Sequence, residues 1–184
     1  IHPDFERQLD TLTHLEIDAL DLRSVDGTNV LDLDDDVRSD LRTALSDRGI
    51  SVPLIGSPIG KVDVTGGVER SATRRETGRE VGSFEDHLSR FREALRIAAD
   101  FDAEYVRVFS YYIPDGEDPA AYRHEILRRF ERTVELAAEA DVVLLHENVS
   151  GLYGDSPRRL RDLLTTIDSP HFRTIFDAAN FYKD

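Results

Sequence analysis

The chain has 184 residues, 40% hydrophobic and 33% charged, which is enough for one substantial core, and no apolar run approaches the roughly 20 residues of a membrane span. Cysteine is absent, so disulfides and thiolate metal sites are excluded and any metal must be held by Asp, Glu, His, amides or water. Net charge is -14 and Lys61 and Lys183 are the only lysines, so nearly all the positive charge is arginine.

Residues 4–16 read as a helix with Phe5, Leu9, Leu12 and Leu15 on one face. Residues 19–25 read as a strand. Residues 35–48 form a second helical stretch, carrying Val37, Leu41, Ala44 and Leu45 and closing at Gly49, and 50–55 is the next strand. A long polar segment follows over about 56–82. Ser83 then caps a helix, with Asp86 three residues on in a capping-box spacing, and Leu88, Phe91, Leu95 and Ala98 carry its apolar face to about Phe101. Residues 105–109 are a strand, 119–140 a long helix and 142–147 a strand. Ser156-Pro157 opens a further helix with a cap and a proline at the first helical position, and 172–177 is the last strand.

Strands that are apolar on both faces and alternate with helices indicate a parallel sheet of β/α units. A doubly wound sheet and a (β/α)8 barrel both fit that rhythm. No G-x-G-x-x-G or G-x-x-x-x-G-K-[ST] follows any strand, which takes support from the nucleotide-binding versions. Polar residues recur at the strand C-termini: Arg23, Ser57, Arg107 with Ser110, Glu147 with Asn148, and Asp177. In a barrel that edge is the active-site rim, and the barrel is the favoured reading.

Two strings carry the chemistry, Val142-Val143-Leu144-Leu145-His146-Glu147-Asn148 and Thr174-Ile175-Phe176-Asp177-Ala178-Ala179-Asn180. Each is an apolar strand that ends in a carboxylate. A buried carboxylate is costly without a partner. Two of them at matching strand ends suggest a shared one, a divalent metal. His146 has the opposite strand parity to Glu147, so it is expected to face the helix layer as a structural group. Arg23 and Arg107 fall within expected strands, where each binds a substrate oxygen or anion or else pairs with an inward carboxylate such as Asp21. Lys61 stands where the composition otherwise favours arginine; a compact ammonium there has a specific use, or is retained by chance. Arg70, Arg74, Arg75 and Arg79 make a basic loop that reads as a lid or as a solvated segment. His2, His14, His87, His124 and His171 show no metal-ligand spacing and receive no role.

Asp21-Leu22-Arg23, the Gly56-Ser57-Pro58-Ile59-Gly60-Lys61 turn, Leu145-His146-Glu147-Asn148 and Phe176-Asp177-Ala178-Ala179-Asn180 resemble the sugar phosphate isomerase/epimerase family, which has the xylose isomerase-like TIM barrel. The resemblance runs over essentially the whole chain. It implies an incomplete (β/α)8 barrel of about strands two to six, read as one partial domain over 1–184, with the first and last two strands lying outside the sequence. The chain contains no Met, in keeping with a trimmed sequence. The resemblance implies Glu147 and Asp177 as metal ligands, with a His and a Glu beyond Asp184 completing the site. Glu147 would also act in acid/base catalysis. Arg23, Lys61, Arg107, Asn148 and Asn180 are the substrate-binding candidates, the two amides serving alternatively to orient the carboxylates or cap loops. Hard oxygen ligands suit Mn²⁺ or Mg²⁺, and a His ligand admits Co²⁺ or Zn²⁺.

The implied activity is isomerisation or epimerisation of sugars or sugar phosphates by proton abstraction through an enediolate. Alternatives on the same barrel are a dehydratase of a cyclic polyol such as an inosose, an endonuclease IV-like phosphodiesterase on abasic DNA, and a non-catalytic barrel. The isolated 184 residues are expected to be inactive and prone to associate through open sheet edges. The expected partner is a small sugar or polyol, with no nucleic acid and no membrane, and a homo-oligomer is left open. The acidic, lysine-poor surface is like that of cytoplasmic proteins from salt-loving organisms, so a cytoplasmic location is expected.

Overall fold

The computed structural model describes residues 2–68 and 80–182. Asp4 caps α1 (Phe5–His14), its carboxylate accepting the Arg7 N–H at 3.0 Å, and the helix lays Phe5, Leu9 and Leu12 into the core. Leu15 does not continue that face. It lies past the last helical residue, where the chain turns out through Glu16 at φ +56°, and it is exposed.

The strand expected over 19–25 is only partly formed. The chain meets the sheet at Ala19 and Leu22, through parallel bridges to Ser51 and Ile55, and then folds into a tight hairpin of β1 (Ser24–Val25) and β2 (Thr28–Asn29). Asp26 and Gly27 form the turn at φ +50° and +85°, the pair of left-handed conformations that a two-residue hairpin loop requires. Arg23 therefore sits between a bridge and a hairpin, not inside a strand.

After α2 (Asp35–Asp47), β3 (Leu54–Ile55) is also shorter than the expected 50–55. Between the two bridges one segment advances three residues and the other four, so one residue is bulged out around Pro53, which has no N–H to give the ladder. The segment read as a long polar loop is more ordered than its composition suggests. Ile59, Val62 and Val64 are buried, and the chain runs beside 109–112, with the Phe109 N–H donating to Ile59 O at 2.8 Å and the Val64 N–H to Tyr112 O at 2.9 Å. Gly60 makes this approach possible: at φ +87° it lies so close to Phe109 that a Cβ would stand 1.9 Å from the Phe109 carbonyl oxygen. β4 (Gly67–Val68) and β5 (Glu80–Val81) then pair antiparallel. The basic loop of Arg70, Arg74, Arg75 and Arg79 lies outside the described residues.

The rest follows the β/α rhythm. The Ser83–Asp86 capping box opens α3 (Phe84–Asp100), with the Asp86 N–H donating to Ser83 Oγ at 3.1 Å and the Ser83 N–H to Asp86 Oδ2 at 2.9 Å. β6 (Tyr105–Val108) leads to α4 (Pro119–Glu139), β7 (Val143–Glu147) to α5 (Pro157–Ile167), and β8 (Phe172–Ile175) to α6 (Ala178–Tyr182). Asp118 and Ser156 cap α4 and α5 ahead of prolines. The four-stranded sheet is parallel throughout in the order β3-β6-β7-β8, with Arg107 opposite Leu145 and Glu147 opposite Ile175.

Side-chain alternation along β7 divides the two faces. Leu144 and His146 are fully buried, while Val143, Leu145 and Glu147 on the other face are half-buried. Behind the sheet a run of rings links the helices to the strands: His87 to Tyr111 at 5.3 Å, Tyr111 to Phe130 at 6.3 Å, Phe130 to His146 at 6.2 Å and Phe130 to Phe172 at 5.0 Å between centroids. His146 thus faces the helix layer, as its parity implies. Burial pulls its imidazole down to about 3, so it packs as a neutral ring.

Candidate active site

Glu147 is the last residue of β7, and Arg107 lies on the neighbouring strand with its side chain on the same face. Arg107 Nη1 donates to Glu147 Oε2 at 3.0 Å, Nη2 to the Gly56 carbonyl at 3.0 Å and Nε to the Ser57 carbonyl at 3.4 Å. The two charged side chains are 18% and 16% exposed, so the pair has given up most of its hydration. Burial lowers the Arg107 pKa from the ordinary guanidinium value, the Glu147 charge pulls it back up, and nearby Arg23 presses it down again. A guanidinium starts so high that it stays charged. Glu147 therefore pairs with Arg107, so the inward carboxylate that Arg107 meets is Glu147. Asp21 reaches Arg107 only through its charge.

Asp177 follows β8 and turns its side chain to the start of α6, where Oδ1 accepts the N–H of Ala179 at 2.8 Å and of Asn180 at 3.1 Å. Asn148 clasps the Asp177 backbone with both ends of its amide. Its Oδ1 accepts the Asp177 N–H and its Nδ2 donates to the Asp177 carbonyl, each at 2.9 Å. Asn180 Nδ2 returns a bond to the Asn148 carbonyl at 2.8 Å. Together these bonds tie the two carboxylate-bearing strand ends to each other. In this arrangement Asn148 uses both ends of its amide, and Asn180 its Nδ2, on backbone groups.

Lys61 and Arg23 lie near Arg107. Lys61 is 9% exposed, with Nζ 4.4 Å from the centroid of the Phe109 ring, and the Arg107 guanidinium carbon lies 5.1 Å from the same ring. Arg23 packs against Gly56, where an added Cβ would stand 2.9 Å from Arg23 Cβ. Sequence reasoning missed the carbonyls of Gly56 and Ser57 as a cradle for Arg107, and Phe109 as a platform. The first has no side-chain signal; the second could have been found as an aromatic directly after an Arg-bearing strand.

For a metal, the donor chemistry fits in part. Among the described residues, Oε1 of Glu147 and Oδ2 of Asp177 carry no hydrogen bond, and hard carboxylate oxygens suit a divalent cation. Among the described residues no group of three or more His, Cys, Asp or Glu is placed to hold an ion. Two carboxylates alone fall short of such a group.

A parallel β/α sheet with its ionisable groups gathered at the C-terminal strand ends fits a β/α barrel as well as a doubly wound sheet. The family profile for xylose isomerase-like TIM barrels matches residues 11–184, and the chain belongs to that family. No curated protein matches it. Among solved structures it is similar to the probable 3-DHS dehydratase AsbF of petrobactin synthesis from Bacillus anthracis, with a TM-score of 0.72 at 14% identity over 98% of this chain and 60% of that one. A xylose isomerase-like TIM barrel protein from Mycobacterium smegmatis, in complex with magnesium, aligns with a TM-score of 0.71 at 18% identity over 96% of this chain and 56% of that one. A D-tagatose 3-epimerase-like protein aligns with a TM-score of 0.61 at 22% identity over 89% of this chain and 57% of that one. The chain thus spans between 56% and 60% of the length of these relatives.

Proposed function

We propose that the protein is a metal-dependent isomerase or epimerase of sugars or sugar phosphates, working by proton abstraction beside a carbonyl through an enediolate. The observation that carries this reading is Glu147, held by Arg107 at the end of β7 and tied through Asn148 to the next strand end at Asp177. In this reading Glu147 and Asp177 hold a divalent metal, Mn²⁺ or Mg²⁺ by donor hardness, with Co²⁺ or Zn²⁺ admitted if a histidine joins. The chemistry such an ion supplies is polarisation of a substrate oxygen.

The chain's own residues divide the remaining work. Arg107 fixes Oε2 of Glu147, which leaves Oε1 to accept a proton from the substrate. Asn148 and Asn180 serve the substrate through the carboxylates they position. Arg23, beside Gly56, and Lys61, over the Phe109 ring, meet substrate oxygens. A small sugar or polyol is the partner, and no described helix is long and apolar enough to cross a membrane.

The test is proton exchange. The protein, loaded with Mn²⁺, is incubated in D₂O with a panel of ketoses and ketose phosphates, and deuterium at the carbon beside the carbonyl is followed by NMR. Exchange with formation of the epimer or aldose is expected, and Glu147→Gln should lower its rate by about 10²–10⁴-fold. Loss of water from a polyol-derived ketone would instead assign a dehydratase, and exchange unaffected by Glu147→Gln would remove Glu147 from the chemistry.

A further inference from the structure

Glu16, Asp102, Asp141 and Asp168 take a positive φ just past helices, and Asp26 does so in the hairpin turn. Tyr111 is different in kind: a buried aromatic residue at φ +63°. For so bulky a side chain that conformation is strained, and it persists only where the surroundings over-determine it. Tyr111 lies just past β6, where two loops at the strand ends meet. Its N–H donates to Gly60 O at 3.1 Å and its carbonyl accepts the Tyr153 N–H at 3.0 Å. The next residue, Tyr112, donates its N–H to Val62 O at 3.0 Å and accepts the Val64 N–H at 2.9 Å. Residues 60–64 and 151–153 are therefore both held through this one strained corner.

The Tyr111 ring is gripped from the helix layer. It lies 5.3 Å from His87 and 6.3 Å from Phe130 between centroids, and the Arg129 guanidinium carbon is 4.9 Å from its centre. Arg129 Nη2 also donates to the Val64 carbonyl at 2.8 Å, so one guanidinium holds both the ring and the loop. His87 is buried, and neither ring nitrogen has a hydrogen bond among the described residues. The groups of α4 around it are Arg129, whose charge acts on it, and beyond that Arg128 and Glu125. Glu125 already accepts from both arginines. From the β6 side comes the Tyr111 hydroxyl, which burial raises above its ordinary range and keeps neutral. α3 also packs on β3, β5, β6 and η1 (Val30–Asp32), whose ionisable residues are Glu80, Tyr105, Arg107 and Asp32; Arg107 and Asp32 are paired with Glu147 and Arg90. A proton on His87 would put a second cation beside the Arg129 guanidinium in a place with little water.

We propose that His87 and Arg129 form an acid-sensitive latch on the strained corner at Tyr111. The neutral imidazole keeps the corner closed; its protonation lets Tyr111 relax and frees residues 60–64 and 151–153 while the parallel sheet stays folded. The second of these segments follows closely on Glu147 and Asn148, so the latch governs how open that strand end is. The sign follows from the two forms of the ring. Closed, it binds a proton only near pH 4; open and hydrated, it does so near the ordinary value of about 6.5. The open form therefore gains over the closed one as pH falls from about 6.5 toward 4.

Amide hydrogen exchange of the intact protein, corrected for the intrinsic effect of pH on exchange, reads the latch. The amides of Val64, Tyr112 and Tyr153 are expected to open more readily than that of Leu144 in mid-strand, and with little dependence on urea, as local openings do. Between pH 7.5 and pH 5 their opening should rise about 30-fold. His87→Leu and His87→Gln, neither of which can take a proton, should both lose that rise, so a packing defect in one variant does not decide the matter. Arg129→Met should leave the Val64 amide more open already at pH 7.5. Exchange of the three amides only at the rate and urea dependence of Leu144 would mean that these segments leave with the whole fold, and would overturn the latch. A rise with acid that persists in both His87 variants would overturn it too. The measurement involves neither metal nor substrate, so failure of the proposed reaction leaves its outcome unaffected.

Discussion

Arg107 donates in three directions at once, to Glu147 and to the carbonyls of Gly56 and Ser57, and that geometry decides how Glu147 behaves. A partly desolvated pair of this kind holds orientation more than it adds stability, but removing one member leaves the other charge buried. Arg107→Met is therefore expected to cost about 3 kcal/mol, and Arg107→Met with Glu147→Gln distinctly less than the sum of the two single changes. Urea unfolding of the four proteins in the cycle measures this, and additivity within about 0.3 kcal/mol would contradict the pair. His87 makes a separate, pH-dependent contribution. It is buried between Phe84 and Tyr111 with neither ring nitrogen bonded among the described residues, and burial, then the charge of Arg129, pulls its pKa down to about 4. The folded value lies below the unfolded value of about 6.5, so the unfolded chain takes the proton first. The stability that neutral His87 provides is complete above about pH 6.5 and is lost as pH falls toward 4. Between pH 7.5 and pH 5 the wild type should lose about 2 kcal/mol more than His87→Leu, and equal losses in both would show that the ring titrates normally.

At the scale of elements, the amide clasp of Asn148 on Asp177 connects the ends of β7 and β8 beyond their ladder. Asn148→Ala removes two bonds from a buried place, which costs roughly 1–3 kcal/mol and frees the Asp177 N–H. Amide hydrogen exchange at Asp177 should accelerate in that variant with little change at Leu144, in mid-strand; an unchanged Asp177 rate would show that the clasp does not hold the strand end. The elements that sequence reasoning read well are those with local signals: the Ser83–Asp86 capping box, Ser156-Pro157, and the apolar runs of β6, β7 and β8. The Asp26-Gly27 turn was equally local, yet the apolar pattern through Val25 masked it. Ordering of residues 59–64 was not legible, because it depends on Gly60 touching the Phe109 backbone across a long sequence separation. Nor were the backbone bonds of Asn148 and Asn180 legible, since their partners lie about thirty residues away in sequence.

For the whole molecule, membership of the xylose isomerase-like TIM barrel family follows from a match over residues 11–184, and the parallel order β3-β6-β7-β8 places the charged strand ends together. The fold class was legible because alternating helices and doubly apolar strands leave few architectures. The site was legible as residue types at strand ends, Glu147 and Asp177 above all, but not as a network, because Arg107 could have turned to either carboxylate. The central claim is that Glu147 and Asp177 share one divalent metal, and calorimetric titration of the intact, EDTA-stripped protein with Mn²⁺ tests it most directly. Saturable Mn²⁺ binding is expected, and Glu147→Gln and Asp177→Asn should each weaken it about tenfold or more. Mn²⁺ affinity unchanged in both variants would contradict it.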